Sequence, residues 1–395
     1  MRNMYDLIVI GGGPAGTSAA ITAARAGARV LLLERGRFPR HKVCGEFVSA
    51  ESLDLLARLL NADDKSLLSD AIRIARARIF LDGHMLQTVA EPASASIARL
   101  DLDAALWNSA IASGVDARQQ TTAQSIAGAG PFQLKTEGEE FEARALINAS
   151  GRWSNLTAPV SPDVDRKEKN EKWLGLKGHF AELSPEQSVD LYFFEGGYCG
   201  VQPVDINAGD SRRGRVNACA MVRADVASSL PEVFARYPVL WERSLRWEPL
   251  SQPVTTSPLI FREPQPERSG ILMAGDAAAF VDPFVGDGVS LALRGGSMAA
   301  EHLVSFFRGE ISLHQAVGAY RHRYKASLAP VFRASSGIRR LLGLPRPVRR
   351  PLLFLFGKTP ALTRYLARKT RWVEDAARQK VTASLATEKL SPRRG

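Results

Sequence analysis

At 395 residues, 45% of them hydrophobic, the chain can bury a large core and hold two domains, and no apolar run approaches the roughly eighteen residues that span a bilayer. Three cysteines, Cys44, Cys199 and Cys219, offer neither metal spacing nor an even framework, which excludes a disulfide-stapled scaffold and makes the cytoplasm the expected location. The net charge of +11 is local: from Arg339 onward, fifteen Lys and Arg face only Glu374, Asp375 and Glu388, so the rest is close to neutral and no nucleic-acid partner is expected.

The first element is an apolar strand, Leu7 to Ile10, which runs into Gly11-Gly12-Gly13-Pro14-Ala15-Gly16. A second apolar strand, Val30 to Leu33, ends at Glu34 and Arg35. Strand, glycine turn, helix, strand, acid is the order that an adenine dinucleotide site requires. Gly11 permits the tight turn, Gly13 lets a pyrophosphate approach the backbone, and Gly16 lets the helix pack close to the strand. Free N–H groups at the helix start hold the phosphates. Glu34 accepts from a ribose hydroxyl and would repel a 2′-phosphate. A glycine turn that binds nothing is the bland alternative, but the flanking strands and the acid stand in register against it.

Further along, residues 71 to 96 read as a hairpin turning at Asp82-Gly83, and Arg99 opens a helix from Leu100 to Ser113. Ala145 to Ala149 is a short apolar strand. Ser188 to Phe194 and Val216 to Val222 alternate as half-buried strands, while the doubly charged stretch Asp163 to Lys172 reads as a solvated loop. The layout is an α/β fold in which a Rossmann-like domain (1–70, 97–156, 265–338) is interleaved with an antiparallel-sheet substrate domain (71–96, 157–264). A helical, basic extension occupies 339–395.

The cofactor is narrowed by Ile271-Leu272-Met273-Ala274-Gly275-Asp276, followed by Asp282-Pro283-Phe284-Val285-Gly286-Asp287-Gly288. An apolar strand delivering Gly275-Asp276 sets a carboxylate beside a polyol, and the later glycines bring backbone N–H groups to a helix start near Val289. FAD has the ribityl chain for that carboxylate and a ring that gains negative charge on reduction, which a helix N-terminus stabilises.

With both motifs in one chain, the sequence resembles the FAD-dependent oxidoreductases of the para-hydroxybenzoate hydroxylase fold and, within them, the geranylgeranyl reductase-like family, over about residues 5 to 345. The resemblance implies that Gly11, Gly13, Gly16, Glu34 and Arg35 form the ADP-binding turn, that Arg99 contacts the cofactor, and that Asp276 holds the ribityl chain. It places Pro283, Gly286, Asp287 and Gly288 along the flavin ring, and Arg40-His41-Lys42-Val43-Cys44-Gly45-Glu46 as the segment whose Cys-Gly lies near it. Two departures stand out. Ser150 occupies the place of an acid in related hydroxylases, which puts direct reduction by NADPH or NADH in doubt. Of the family's tyrosine-aromatic-aromatic-proline pattern only Tyr198 and Pro203 remain, Gly200 and Gln202 replacing the aromatics, which implies a substrate other than geranylgeranyl.

The expected activity is that of a flavin-dependent monooxygenase on a small apolar or aromatic metabolite, oxygenation being common on this scaffold. The alternative is a C=C reductase in which Cys44 or a water gives the proton and Tyr198 lines the cavity. A non-enzymatic FAD-binding protein is the third reading, and the absence of a Trp-x-Trp-x-Ile-Pro segment speaks against a halogenase. His179 alternates with apolar neighbours as a satisfied pocket or core histidine would, the six histidines do not cluster as metal ligands, and no metal is expected. No second GxGxxG follows, so the electron donor is a transiently docking nicotinamide nucleotide or another protein. In the extension, Leu341 to Leu344 and Leu352 to Phe356 interleave with Arg346, Arg349 and Arg350. That pattern suits either an anionic membrane surface or a terminal helix packed on the body.

Overall fold

The computed structural model describes residues 4–152, 156, 172–205, 213–259, 261, 263–280, 282 and 286–342. In chain order the elements begin with β1 (Tyr5–Ile10), α1 (Pro14–Arg25), β2 (Val30–Leu33), β3 (Phe47–Val48), α2 (Ala50–Leu59), α3 (Ser66–Ser69), β4 (Ile72–Leu81), β5 (His84–Ser96) and α4 (Arg99–Ala112). They continue with β6 (Asp116–Arg118), β7 (Ser125–Ala127), β8 (Phe132–Lys135), β9 (Glu140–Asn148), β10 (Trp173–Leu183), β11 (Ser188–Phe194), β12 (Gly197–Asp205) and β13 (Arg213–Arg223). Last come α5 (Leu230–Phe234), α6 (Pro238–Ser244), β14 (Glu248–Pro249), β15 (Val254–Thr256), β16 (Glu267–Arg268), β17 (Ile271–Met273), α7 (Gly288–Phe307), α8 (Leu313–Ser327) and α9 (Ala329–Leu342).

The first sheet runs in the order β16-β17-β9-β1-β2-β6. From β17 to β6 its pairings are parallel, and β1 and β2 are apolar and buried almost throughout, as strands covered on both faces must be. Helix α1 crosses between β1 and β2 and starts at Pro14, whose missing N–H is no loss at that position. It packs against α7 through small residues. A Cβ at Gly296 would stand 2.0 Å from the Ala15 carbonyl oxygen, and the Ser18 hydroxyl donates to the Leu293 carbonyl at 2.7 Å. Two helix backbones therefore converge just beyond the ends of β1 and β17, at the crevice where parallel sheets bind their ligands.

The second sheet runs β14-β10-β13-β12-β11-β4-β5-β3. The sequence leads one to expect an antiparallel sheet, and most pairings are so, but β11 pairs with β4 in parallel, making the sheet mixed. The β4–β5 hairpin turns at Asp82-Gly83, where both residues have positive φ (52° and 85°), as a two-residue turn matched to strand twist needs. Arg78 of β4 and Arg243 of α6 both bond the Asp190 carboxylate of β11, at 2.7 Å each, which ties the hairpin and the helix to the sheet.

Strand alternation gives this sheet two different faces. One carries Leu176, Phe180, Cys199, Val201, Val216, Ala218 and Val222, buried against Leu230, Val233, Phe234 and Leu240 of α5 and α6. The other turns toward segment 44–46.

Candidate flavin and substrate site

The turn after β1 is shaped for a bound diphosphate. Gly11 has φ +104°, and a Cβ there would lie 2.4 Å from the Ala149 carbonyl oxygen; a Cβ on Gly16 would lie 1.7 Å from the Gly11 oxygen. Both positions need glycine. At Gly13 the nearest group is the Arg99 guanidinium, 3.9 Å from a built Cβ, so the approach to the backbone is clear on the side that α1 opens. Arg99 is held by a bidentate pair to Asp103, 2.7 Å on each arm. Lys42 belongs to the same cluster: burial, then the charges of Arg99 and Arg40, push its ammonium down to about 8.

Glu34 is buried and accepts the N–H groups of Gly12 at 2.9 Å and Gly36 at 2.8 Å, with Arg40 at 3.0 Å. Burial alone would raise its pKa; Arg40 and the two N–H groups override that and hold it below the usual range. The carboxylate keeps lone pairs for a ribose hydroxyl. Arg35 is exposed.

The late motif closes the crevice. Asp276 lies in a single 3-10 turn, Gly275–Ala277, with Arg152 Nε 3.7 Å away and the Arg152 guanidinium 4.3 Å over Phe280. Helix α7 begins at Gly288, with Asp287 at its N-cap and Val289 buried, and Gly286 (φ +74°) lies against the Phe47 ring. Pro283 lies outside the described residues. Ser150 turns inward, its hydroxyl donating to Asn148 Oδ1 at 2.6 Å. A clear glycine cradle, clustered cations and two carboxylates beside two helix N-termini fit FAD.

Segment 44–46 lies between α4 and the second sheet and is bonded to both. Cys44 is half-buried, Gly45 exposed, and Glu46 fully buried with φ +61°, a conformation uncommon for a residue with a Cβ. The Cys44 sulfur accepts the Glu46 N–H at 3.3 Å and lies beside the Arg99 guanidinium. Glu46 Oε1 accepts the Arg99 N–H at 2.7 Å and pairs with Lys177 Nζ, while Oε2 bonds His179 Nε2 at 2.8 Å. Burial raises the Glu46 pKa, but the His179 bond and the Lys177 charge outweigh it and keep the carboxyl below its ordinary range. An ionised carboxylate only accepts, so His179 Nε2 carries the hydrogen. Gln202 donates to the Glu46 carbonyl at 3.1 Å and to Ser96, and Asn217 donates to the Cys44 carbonyl at 2.9 Å.

These side chains share the second face of the mixed sheet. His179, Asn217 and Gln202 are cross-strand partners in one row; Lys177 and Cys219 pair in the next. Beyond them the face becomes apolar, with Met221, Tyr198, Phe193 and Leu81 clustering with Leu259, Phe261 and Phe280. Tyr198 packs on Phe193 at 5.5 Å, and burial followed by nearby Asp282 raises its hydroxyl well above the usual range. Gly200 looks onto Leu191, and Gln202 belongs to the polar row, so neither leaves an aromatic wall. His179 is satisfied, as expected of it, but by a carboxylate of the flavin-side loop. Lys177 and Asn217 were not singled out from the sequence. The signal available was a lysine and a histidine two apart in Trp173–Leu183, an alternation that puts both on one strand face.

The chain is similar to known proteins over most of its length. Residues 4–329 match the family described as FAD binding domain. A digeranylgeranylglycerophospholipid reductase of Methanosarcina acetivorans is 26% identical over 355 residues, covering 82% of this chain and 81% of that protein. A menaquinone reductase of Mycobacterium tuberculosis is 28% identical over 332 residues, covering 76% of each. Among solved structures, a flavin-dependent brominase superposes with a TM-score of 0.71 at 18% identity, covering 98% of this chain and all of that one, a likeness of fold.

Proposed function

From the premise that this chain belongs to the FAD binding domain family, and is an FAD-dependent oxidoreductase of the geranylgeranyl reductase-like kind, we propose that it reduces a carbon–carbon double bond of an apolar substrate. The observation that carries this reading is the setting of Cys44, whose sulfur faces a guanidinium and a backbone N–H between α4 and the second sheet. FAD, when bound, supplies the hydride equivalent. Saturating the bond then needs one proton, given up by the Cys44 thiol; Arg99 and the Glu46 N–H stabilise the sulfur's charge until water reprotonates it. The apolar row of Leu81, Phe193, Tyr198 and Met221 holds the hydrocarbon and excludes water.

Two relatives are named as reductases, of a digeranylgeranyl phospholipid and of menaquinone, which supports reduction as the chemistry and an isoprenoid-like alkene as the substrate class. With Gly200 and Gln202 in place of aromatics, the substrate differs from geranylgeranyl. The electron donor is a nicotinamide nucleotide or a donor protein that docks transiently.

Anaerobically reduced holoprotein, mixed with prenyl alcohols of decreasing length, should oxidise in step with formation of saturated product by mass spectrometry. Cys44→Ser should keep its FAD and lose about a hundredfold or more in rate. Equal specific activity in that variant removes Cys44 from the mechanism. Incorporation of labelled oxygen into product, with no saturation, replaces reduction by oxygenation.

A further inference from the structure

We propose that Glu46 is the positioning residue of this site: it fixes Cys44 between α4 and the second sheet, and Lys177 and His179 of that sheet are there to hold Glu46. The inference rests on the reading of Cys44 as proton donor. Its motivation is that segment 44–46 is tethered through both backbone and side chain. The Glu46 carboxylate takes Lys177, His179 and the Arg99 N–H; its carbonyl takes Gln202 and the Ile97 N–H; the Cys44 carbonyl takes Asn217.

Burying a carboxylate and an ammonium together is expensive, and apolar packing would retain a loop at lower cost. Hydrogen bonds add direction, which packing lacks. Here the carboxylate's donors come from β10 and the first residue of α4, while β12 holds the Glu46 carbonyl and β13 the Cys44 carbonyl, so both halves of the site converge on segment 44–46. Arg99 also links that carboxylate to the sulfur, because its N–H bonds Glu46 while its guanidinium lies beside Cys44. The left-handed backbone at Glu46 turns the chain so that its N–H points back at the Cys44 sulfur.

The test uses FAD-loaded Glu46→Gln and the double variant Glu46→Gln/Lys177→Met, which leaves no unpaired buried ammonium and so covers the case in which the single variant fails to fold. Readouts are the visible circular dichroism of the flavin, the rate of Cys44 alkylation by iodoacetamide mapped by peptide mass spectrometry, and kcat against KM. Both variants should keep FAD, change the alkylation rate severalfold and the dichroism, and lose about a hundredfold in kcat with KM little altered. Parental alkylation, dichroism and kcat in the double variant would reduce Glu46 to a counter-ion for Lys177 and overturn the proposal. A different result overturns only the underlying reading: Cys44→Ser at full activity while Glu46→Gln still shifts alkylation and dichroism leaves Glu46 as the anchor of a loop with no part in proton transfer.

Discussion

Lys42 stands in the cation cluster with Arg99, the group that faces the Gly13 turn. Burial lowers the Lys42 ammonium to about 8, with the charges of Arg99 and Arg40 adding to the shift and those of Asp103 and Glu34 opposing it. A diphosphate arriving at the Gly13 turn favours the charged form, so its binding returns the pKa toward the ordinary lysine value of roughly 10.4. FAD binding then takes up a proton between those limits. Affinity should be level below about pH 7 and fall by up to about tenfold per unit above pH 8. Fluorescence titration of apoprotein from about pH 6.5 to 9.5 measures this, and Lys42→Met should bind roughly tenfold to a hundredfold more weakly with the slope gone. The same slope in that variant would show that another group carries the effect.

At the scale of elements, the contact between α1 and α7 sets the mouth of the crevice. Gly296→Ala would bring a methyl to 2.0 Å from the Ala15 oxygen, so the helices must separate; overpacking of this kind costs about 1 to 3 kcal/mol or more. Thermal unfolding should shift down and FAD dissociate more readily, because Gly275 sits against Ala15 and Ala292 of the same two helices. An unchanged melting temperature would mean that α7 can slide freely. The approach of α1 to β1 through Gly16 was legible in the sequence, and β2, the Asp82-Gly83 turn and β11 fall where the apolar runs and turn residues put them; the meeting of α1 with α7 at Gly296 was not. The parallel pairing of β11 with β4 was not legible, because strand order is set by partners more than a hundred residues apart. Glu46 was quoted as part of a motif but not as a hub, for the same reason: its partners Lys177, His179 and Gln202 lie 131, 133 and 156 residues away. Local pattern tells which face a side chain takes; it does not tell what that face meets.

For the whole molecule the uneven charge sets the behaviour. No helix among the described residues is long and apolar enough to cross a membrane, yet an isoprenoid-like alkene, the substrate class proposed above, would dissolve in one. The charge that would bring the protein there lies almost entirely beyond α9, in residues outside the described set: Arg346, Arg349 and Arg350 stand between Leu341 to Leu344 and Leu352 to Phe356. Each basic residue near an anionic surface adds about 1 kcal/mol, and that attraction fades within a Debye length of roughly 8 Å at physiological salt. Co-sedimentation with vesicles should therefore rise with the fraction of anionic lipid, fall as salt is added, and drop by more than tenfold when all three arginines are neutralised. Reduction of a water-soluble short alkene should stay unchanged in that variant, because the cofactor and substrate groups all lie before α8. Truncation before Arg339 separates the competing role: if the extension instead packs on the body, removing it exposes apolar surface and the protein aggregates whatever the lipid. Salt-insensitive or absent vesicle binding by the intact chain would leave packing as the extension's function.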